Sequence, residues 1–466
     1  MKIEQIYTGC LAQGAYYIES NGEVAIIDPL REVSPYIEKA QKEGAVIRYV
    51  FETHFHADFV SGHIDLSQKT GAPIVYGPNA QTHFEAIVAE DGQIFKLGNV
   101  SIKVLHTPGH TMESSCYLLI DESGKEKALF SGDTLFIGDV GRPDLAQKSD
   151  LTVDDLAGFL FDSLREKVMT LPDDVVVYPA HGAGSACGKN MSKETSDILG
   201  NQKMFNYALR ADMTKKEFIK EVTTGLAPPP KYFPQNVKMN KEGYESIDTV
   251  MDRGSQALSP EEFETIANAT FALILDTRNP QDFAQKFIPN SINIGLNGQF
   301  APWVGALIPD LKQEIILVTE DGKAEETIIR LARVGYDHTL GYLKGGIEAW
   351  EKAGFETDSI QSVSPGYLHE NFSTGDILDV RNVNEYNTEH IEGVRNFPLD
   401  FINDNMQELD KDKPYVLHCA GGYRSMVAAS ILKARGFEVM DVQGGYAAIK
   451  KTELFEVSET KAHTGV

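Results

Sequence analysis

Thr53-His54-Phe55-His56-Ala57-Asp58 closes an apolar, strand-like segment, Ile47-Arg48-Tyr49-Val50-Phe51. On the turn leaving a strand, imidazoles at i and i+2 and a carboxylate at i+4 can converge on one point above a sheet edge. Three more stretches repeat the pattern further along: Thr107-Pro108-Gly109-His110, Ser131-Gly132-Asp133-Thr134 and Tyr178-Pro179-Ala180-His181. Each sets a His or an Asp just after an apolar run. Neutral imidazoles and carboxylates are the usual ligands of a borderline divalent metal. Four such motifs in one chain predict a metal site.

Their order and wording resemble the metallo-β-lactamase fold, an αββα sandwich with its metals at one edge. Many hydrolases of that fold read H-x-H-x-D-H, and the last His helps to hold a second zinc. Here that position is Phe59, which ligates nothing. A second metal would rest on Asp58, Asp133 and His181 alone, so the expectation is a mononuclear site. Phe59 itself reads as a core residue of the next helix.

At 466 residues the chain exceeds one ordinary core, and two to four domains are expected. The apolar and charged fractions are those of a soluble globular protein. Met1 to Gly14 lacks a basic start followed by an apolar core, and no apolar run is long enough to span a bilayer. The expected location is cytoplasmic. A formal net charge of -25 argues against nucleic acid and anionic membranes as partners. Any anionic substrate must therefore be met by local cations. Cys10, Cys116, Cys187 and Cys419 are widely spaced and include no C-x-x-C pair, so no disulfide framework is expected.

Short strand-like runs alternate with turns up to about residue 190, for example Val24-Ala25-Ile26-Ile27-Asp28 and Val175-Val176-Val177-Tyr178. Ser34 to Gly44 reads as a helix with a capping Ser and a Gly stop. Ser192 to Thr224 reads as polar and helical. Ala227-Pro228-Pro229-Pro230-Lys231-Tyr232-Phe233-Pro234 reads as a stiff extended linker. After it comes an internal repeat with an offset of about one hundred residues. Leu275-Asp276-Thr277-Arg278 is echoed by Leu378-Asp379-Val380-Arg381, and Leu343-Lys344-Gly345-Gly346 by Val442-Gln443-Gly444-Gly445. That period is too long for a solenoid and implies two copies of a whole α/β domain.

Each copy resembles a rhodanese domain, a parallel sheet with helices on both faces. The expected layout is residues 1–245 for the metallo-β-lactamase-fold domain, 255–358 for a rhodanese-like domain without activity, and 362–460 for an active one. In the second copy a strand, Tyr415-Val416-Leu417, runs into His418-Cys419-Ala420-Gly421-Gly422-Tyr423-Arg424-Ser425. The glycines permit a tight loop whose N–H groups point at whatever Cys419 carries, and the next helix adds its positive end. This setting lowers a thiol pKa and makes Cys419 a candidate nucleophile. Gly421, Gly422 and Tyr423 would line the substrate, and Arg424 would hold an anion through paired hydrogen bonds. The corresponding loop of the first copy, Thr319-Glu320-Asp321-Gly322-Lys323, places Glu320 or its neighbour at the cysteine position. It should be inactive in sulfur transfer. The Asp276/Arg278 and Asp379/Arg381 pairs read as structural, and Cys116 as core. Cys187 reads as a neighbour of the metal or a small loop residue, and Cys10 as a turn residue.

Two chemistries suit such a metal site: hydrolysis by zinc-bound hydroxide, or dioxygenation at non-haem iron held by two His and one carboxylate. The combination of domains resembles persulfide dioxygenases fused to rhodanese. That resemblance implies one Fe(II) per chain on His54, His110 and Asp133, with His56 close by, Asp58 as a weaker candidate and His181 in the outer shell. It also implies a low-molecular-weight thiol persulfide and dioxygen as substrates, sulfite or thiosulfate as the small-molecule partners of Cys419, and a role in sulfide detoxification. The carrier could be glutathione, coenzyme A, bacillithiol or another thiol. Arg142 is the candidate for its anionic part, with a loop salt bridge as the alternative. A homo-oligomer, dimer or tetramer, is expected. The competing readings are a glyoxalase II-like zinc thioester hydrolase fused to a sulfurtransferase, and a non-catalytic sulfur-carrier scaffold.

Overall fold

The computed structural model describes residues 1–145, 151–226 and 228–459. Ala227, the first residue of the Pro-rich stretch, lies outside them. The chain divides into two compact units, Met1–Ile247 with Ala332–Gly335, and Asp248–Leu331 with Tyr336–Val466. Among the described residues no helix is long and apolar enough to cross a membrane.

The first unit is built on two six-stranded sheets. One runs in sequence order through β1 (Lys2–Thr8), β2 (Gln13–Ser20), β3 (Glu23–Ile27), β4 (Val46–Phe51), β5 (Ile74–Tyr76) and β6 (Ile87–Val88). The other is ordered β12-β11-β10-β9-β8-β7, from β7 (Ile94–Leu97), β8 (Val100–His106), β9 (Ser115–Ile120), β10 (Glu126–Gly132), β11 (Val176–Pro179) and β12 (Asp197–Ile198). Alternate residues of both sheets meet in one core that includes Tyr16, Ile18, Phe51, Val75, Val104, Tyr117 and Phe130. Each of its large side chains contributes about 1.5–3 kcal/mol by burial. The opposite faces are covered by helices. Ser34–Lys42 packs over the first sheet, with Tyr36 and Ala40 inward, and Val153–Ser163 over the second, with Leu156, Ala157 and Leu160 inward. The result is an αββα sandwich.

The second unit holds the repeat. The first copy has β13 (Ala257–Leu258), β14 (Leu273–Asp276), β15 (Ile292–Asn293), β16 (Ile315–Val318) and β17 (Thr339–Leu343), in the spatial order β13-β17-β16-β14-β15. The second copy has β18 (Gln361–Val363), β19 (Ile377–Asp379), β20 (Glu389–Ile391), β21 (Arg395–Asn396), β22 (Tyr415–His418), β23 (Val439–Val442) and β24 (Val457–Glu459). Its main sheet repeats the same order as β18-β23-β22-β19-β21, and β20 pairs with β24. All pairings within the two five-stranded sheets are parallel.

The structure amends several local expectations. Phe59 is fully buried but stands in the loop before the helix His63–Thr70, its ring 4.4 Å from that of His56. Ser34 is the first residue of its helix, whose cap position is Val33 and carries no side-chain cap. The polar region is helical over Leu199–Phe205 and Lys215–Thr223, with a short 3-10 turn at Tyr207–Leu209 between them, while β12 near its start pairs with β11. The stiff linker is shorter than expected, since Phe233 and Pro234 open the helix Phe233–Glu242, where a first-turn Pro removes no helical hydrogen bond. Strand register chooses between the residues offered for the cysteine position of the first copy. Asp276 pairs with Val318, and Asp379 with His418, so that residue is Thr319, the neighbour of Glu320.

Candidate functional site

Every metal-binding candidate of the first unit leaves a strand at the same edge of the sandwich. Asp28 follows β3, His54 to Asp58 follow β4, His110 follows β8, Asp133 follows β10 and His181 follows β11. His54, His110 and Asp133 come together with one donor atom each within 4.8 Å of the others, all buried. His54 Nε2 and His110 Nε2 stand 3.8 and 3.5 Å from Asp133 Oδ2. Donors that each sit about 2.0–2.2 Å from one ion are roughly 3–3.5 Å apart, so a small closure would let the three share a cation.

The surroundings fix which atoms are free to ligate. Thr53 Oγ1 donates to Asp28 Oδ2 at 2.8 Å, so it can only accept from His54 Nδ1, 3.0 Å away. His110 Nδ1 donates to the Arg142 carbonyl at 2.7 Å. Both imidazoles thus turn an unprotonated Nε2 inward. Burial, with His56 next to it, holds the His54 pKa well below the usual histidine value, which keeps the ring neutral. Asp133 Oδ2 is buried and has no hydrogen-bond partner. A bare carboxylate oxygen facing two imidazole Nε2 atoms is a donor set suited to a cation, and these residues fit a divalent metal.

His181 stands behind this set. Its Nδ1 lies 2.7 Å from Asp133 Oδ1 and its Nε2 2.9 Å from Asp58 Oδ2. Burial works against its charge, but the two carboxylates outweigh burial and raise its pKa well above the ordinary value. The resulting imidazolium pins Asp133 and leaves Oδ2 for the metal. Asp58, His181 and Cys187 form a second group of potential donors. With His181 held between two carboxylates and Phe59 where another His could stand, that group is already neutralised without an ion. His56 turns elsewhere, with Nε2 3.1 Å from Asp28 Oδ1 and 3.6 Å from Glu52 Oε2.

Arg142 is buried, and its guanidinium is occupied. Nε and Nη2 form a fork on Asp144 at 2.9 and 2.7 Å, and Nη1 donates to Ala186 O. It reaches the metal set through its carbonyl. To hold a substrate anion it would first have to release Asp144. Asn240, far along the chain, donates to the carbonyls of His56 and Phe59 and accepts from Ser61 N–H. Sequence reading passed over Asn240, Thr53 and Asp28. Only the adjacency of Thr53 to His54 offered a local signal.

In the second copy, Cys419 directly follows β22 and is buried. The Gly422 N–H donates to its Sγ at 3.1 Å, from a left-handed backbone that glycine adopts without strain. Ser425 Oγ donates to Sγ at 3.6 Å. The recurring Gly-Gly pair explains why the loop N–H groups are free to face inward. Tyr446 and Ala447, opening the helix Gly445–Lys450, donate their N–H groups to the carbonyls of Cys419 and Ala420. Gly421 leaves open space where a Cβ would stand. Two expected binding groups have other partners. Arg424 is bound in a fork by Glu385, at 2.6 and 2.7 Å, and Tyr423 OH donates to Gly295 O of the first copy. Asp276/Arg278 and Asp379/Arg381 are matching forks at the strand ends. In each, the Arg also donates to a carbonyl, Lys286 O or Glu389 O.

Buried histidines and carboxylates at one edge of an αββα sandwich, followed by two α/β copies of which the second holds a cradled cysteine, define a metal-binding fold joined to a repeated α/β module. The metallo-beta-lactamase superfamily model matches residues 8–181, and the rhodanese-like domain model matches 259–353 and 364–452. The chain belongs to the metallo-β-lactamase superfamily and carries two rhodanese-like domains after that fold. A metallo-beta-lactamase from Staphylococcus aureus subsp. aureus COL is 32% identical with a TM-score of 0.63, over 74% of this chain and 98% of that one. The probable hydroxyacylglutathione hydrolase glo2 of Schizosaccharomyces pombe is 36% identical over 34% of this chain and 58% of its own length. The human mitochondrial persulfide dioxygenase ETHE1 is 34% identical over 34% of this chain and 59% of its own. The chain thus spans somewhat under six-tenths of the length of these two curated relatives.

Proposed function

We propose that the first unit is a persulfide dioxygenase and the second a sulfurtransferase. A low-molecular-weight thiol persulfide is oxidised at one Fe(II) held by His54, His110 and Asp133, and Cys419 carries sulfane sulfur to or from the sulfite so formed. The observation that carries this reading is the pairing, in one chain, of a single two-His, one-carboxylate set backed by Phe59 with a cysteine held in an N–H cradle. The human relative bears the name of the oxidation and the yeast relative that of the hydrolysis, so the family alone does not choose between them.

When bound, Fe(II) supplies open positions for dioxygen and a substrate sulfur. The chain's own residues orient and neutralise. Thr53 and the Arg142 carbonyl fix the imidazole tautomers, and His181 steadies Asp133. The first reaction balances as R–S–SH + O2 + H2O giving R–SH and sulfurous acid, ionised to sulfite. In the second, sulfite takes the outer sulfur of a Cys419 persulfide, leaving the thiolate and thiosulfate.

Metal analysis of protein purified without oxygen, together with His110→Ala, tests the reading. One iron per chain is expected, with iron and persulfide-dependent oxygen uptake both lost in the variant. Two zinc ions per chain with thioester hydrolysis, the second ion on Asp58, His181 and Cys187, would overturn it.

A further inference from the structure

Arg424 stands in the first turn of the helix Tyr423–Ala434, between two residues that hydrogen-bond Cys419 Sγ: Gly422 through its N–H and Ser425 through its hydroxyl. A guanidinium in that place suits the oxygens of a sulfur oxyanion. One carboxylate takes both of its Nη atoms instead. Nη1 donates to Glu385 Oε2 at 2.6 Å, and Nη2 to Glu385 Oε1 at 2.7 Å. Glu385 belongs to the helix Val383–Thr388, where its Oε2 also accepts from the Asn382 N–H at 3.2 Å in a capping box. The hydrogen bonds from Arg424 hold its carboxyl below the usual range, so it stays ionised and the pair is neutral as a whole. Neither partner is sealed in: 20% of the Arg424 side chain and 33% of that of Glu385 are exposed, so the carboxylate can swing into water.

Arg381 offers no substitute for that cation. It is forked onto Asp379 and donates to Glu389 O as well. The other copy supplies an internal contrast. Carried along from the paired strands, the register sets Asp282 at the place of Glu385 and Ala324 at that of Arg424. The copy without the cysteine keeps an acid there and lacks the cation. Arginine and cysteine thus go together, and only where both stand does the acid face an anion site.

We propose that Glu385 is a built-in competitor for the Arg424 anion site, which makes the Cys419 loop select an alkyl persulfide over thiosulfate as its sulfur donor. The inference rests on the reading of Cys419 as the sulfur carrier. With thiosulfate, the Cys419 thiolate attacks the outer sulfur, a Cys419 S–S bond forms, the donor's S–S bond breaks, and sulfite leaves with the bonding electron pair. A dianion there meets a thiolate, and Arg424 must leave Glu385 to offset them. With R–S–SH the same attack on the outer sulfur releases R–S⁻, which takes a proton from water, and Cys419 keeps the S–SH group. No oxyanion enters, so the fork can stay closed. Glu385 is therefore a positioning residue that acts on the donor through Arg424.

The test uses the full-length protein with Glu385→Gln, which removes the charge but still accepts from the Asn382 N–H. Sulfur loading of Cys419 is followed by mass on its own peptide, without oxygen, from graded thiosulfate and from the persulfide of 2-mercaptoethanol. A site open only a tenth of the time binds about tenfold more weakly, and even an exposed ion pair is worth up to about fivefold in such an equilibrium. Glu385→Gln should therefore lower the half-saturating thiosulfate concentration by at least about threefold and raise the thiosulfate-to-persulfide rate ratio by as much. A carboxylate that merely holds Arg424 in place would give the opposite, a loss with thiosulfate. An unchanged or raised half-saturation in the folded variant overturns the proposal. If Glu385→Gln does not fold, Glu385→Ala decides by the same measure. The gain should vanish when Glu385→Gln is combined with Arg424→Ala, and a gain that persists without the arginine overturns the route through it. Cys419→Ser is the separate control: transfer from thiosulfate to cyanide surviving there would overturn the reading of the cysteine, and the proposal with it.

Discussion

The two rhodanese-like copies have the same strand order, matching Asp–Arg forks and matching Gly-Gly turns, and they part company at one loop. In the second copy that loop carries Cys419, Gly421 and Gly422, with Ser425 and Asp441 beneath it. In the first, Thr319, Glu320 and Asp321 occupy the path, and Tyr342 fills the place of the buried acid. A threonine hydroxyl is a poor acceptor of sulfur, and acidic side chains repel anionic donors. The difference separates two sets of residues that one intact copy would have left entangled. The fork, the turn and the sheet are common to both copies and build the domain, and the loop is where they differ.

The comparison can be broken most directly at its centre. Cys419→Ser should abolish sulfur transfer and shift the product of persulfide oxidation from thiosulfate to sulfite, whereas Thr319→Ala should leave the product ratio unchanged. Chromatography of the products, with persulfide and oxygen supplied, reads both. A changed ratio in a folded Thr319→Ala protein would give the first copy an active part.

A smaller contrast lies in the Gly-Gly turns. A Cβ on Gly445 would stand 2.4 Å from Cys419 O and 3.0 Å from Gly421 N. On Gly346 the nearest atoms are the end of the Glu348 side chain at 3.4 Å and Thr319 O at 3.8 Å. Both glycines have positive φ, so either alanine should cost about 1–2 kcal/mol of stability. Only Gly445→Ala should also reduce transfer, by about tenfold or more, because it displaces the cradle. Equal transfer rates in the two folded variants would show that the cradle tolerates the shift.

The smallest effect is one of pH. Burial raises the Asp441 pKa to about 7, above an unfolded value near 4. A group raised in this way binds more protons when folded, so its favourable contribution is complete below about pH 4 and is lost as pH rises towards about 7. Asp441→Asn removes that slope. Relative to wild type, its unfolding midpoint should climb between about pH 4 and 7, as read by paired thermal melts. Parallel pH dependences would mean that the carboxyl is better solvated than its burial implies.

Much of this architecture was legible because it is written locally. Metal-binding side chains at strand ends, the long repeat and the cysteine loop each occupy a few adjacent residues, and the sandwich and the paired rhodanese-like sheets follow from them. What escaped notice is long-range. Asn240 holds the His56–Ser61 turn from beyond the Pro-rich stretch, and Asp441 comes level with Leu417, two residues before Cys419, only because β23 lies beside β22. The arginines teach the same lesson from the other side. The loop salt bridge offered as the alternative for Arg142 is there, with Asp144 two residues away, whereas Glu385, which occupies Arg424, stands 39 residues off and left no local sign. The loop of the first copy left the cysteine position open between Glu320 and its neighbour, and the pairing of the sheet puts Thr319 there.

Tyr423, at the head of the cysteine helix, reaches across to the first copy. Its hydroxyl donates to Gly295 O, and a side chain on Gly298 would fall 2.6 Å from its ring. The first copy thus serves as a wall for the helix that follows the cysteine loop of the second, and a substitution at Gly298 would press on that loop without touching Cys419.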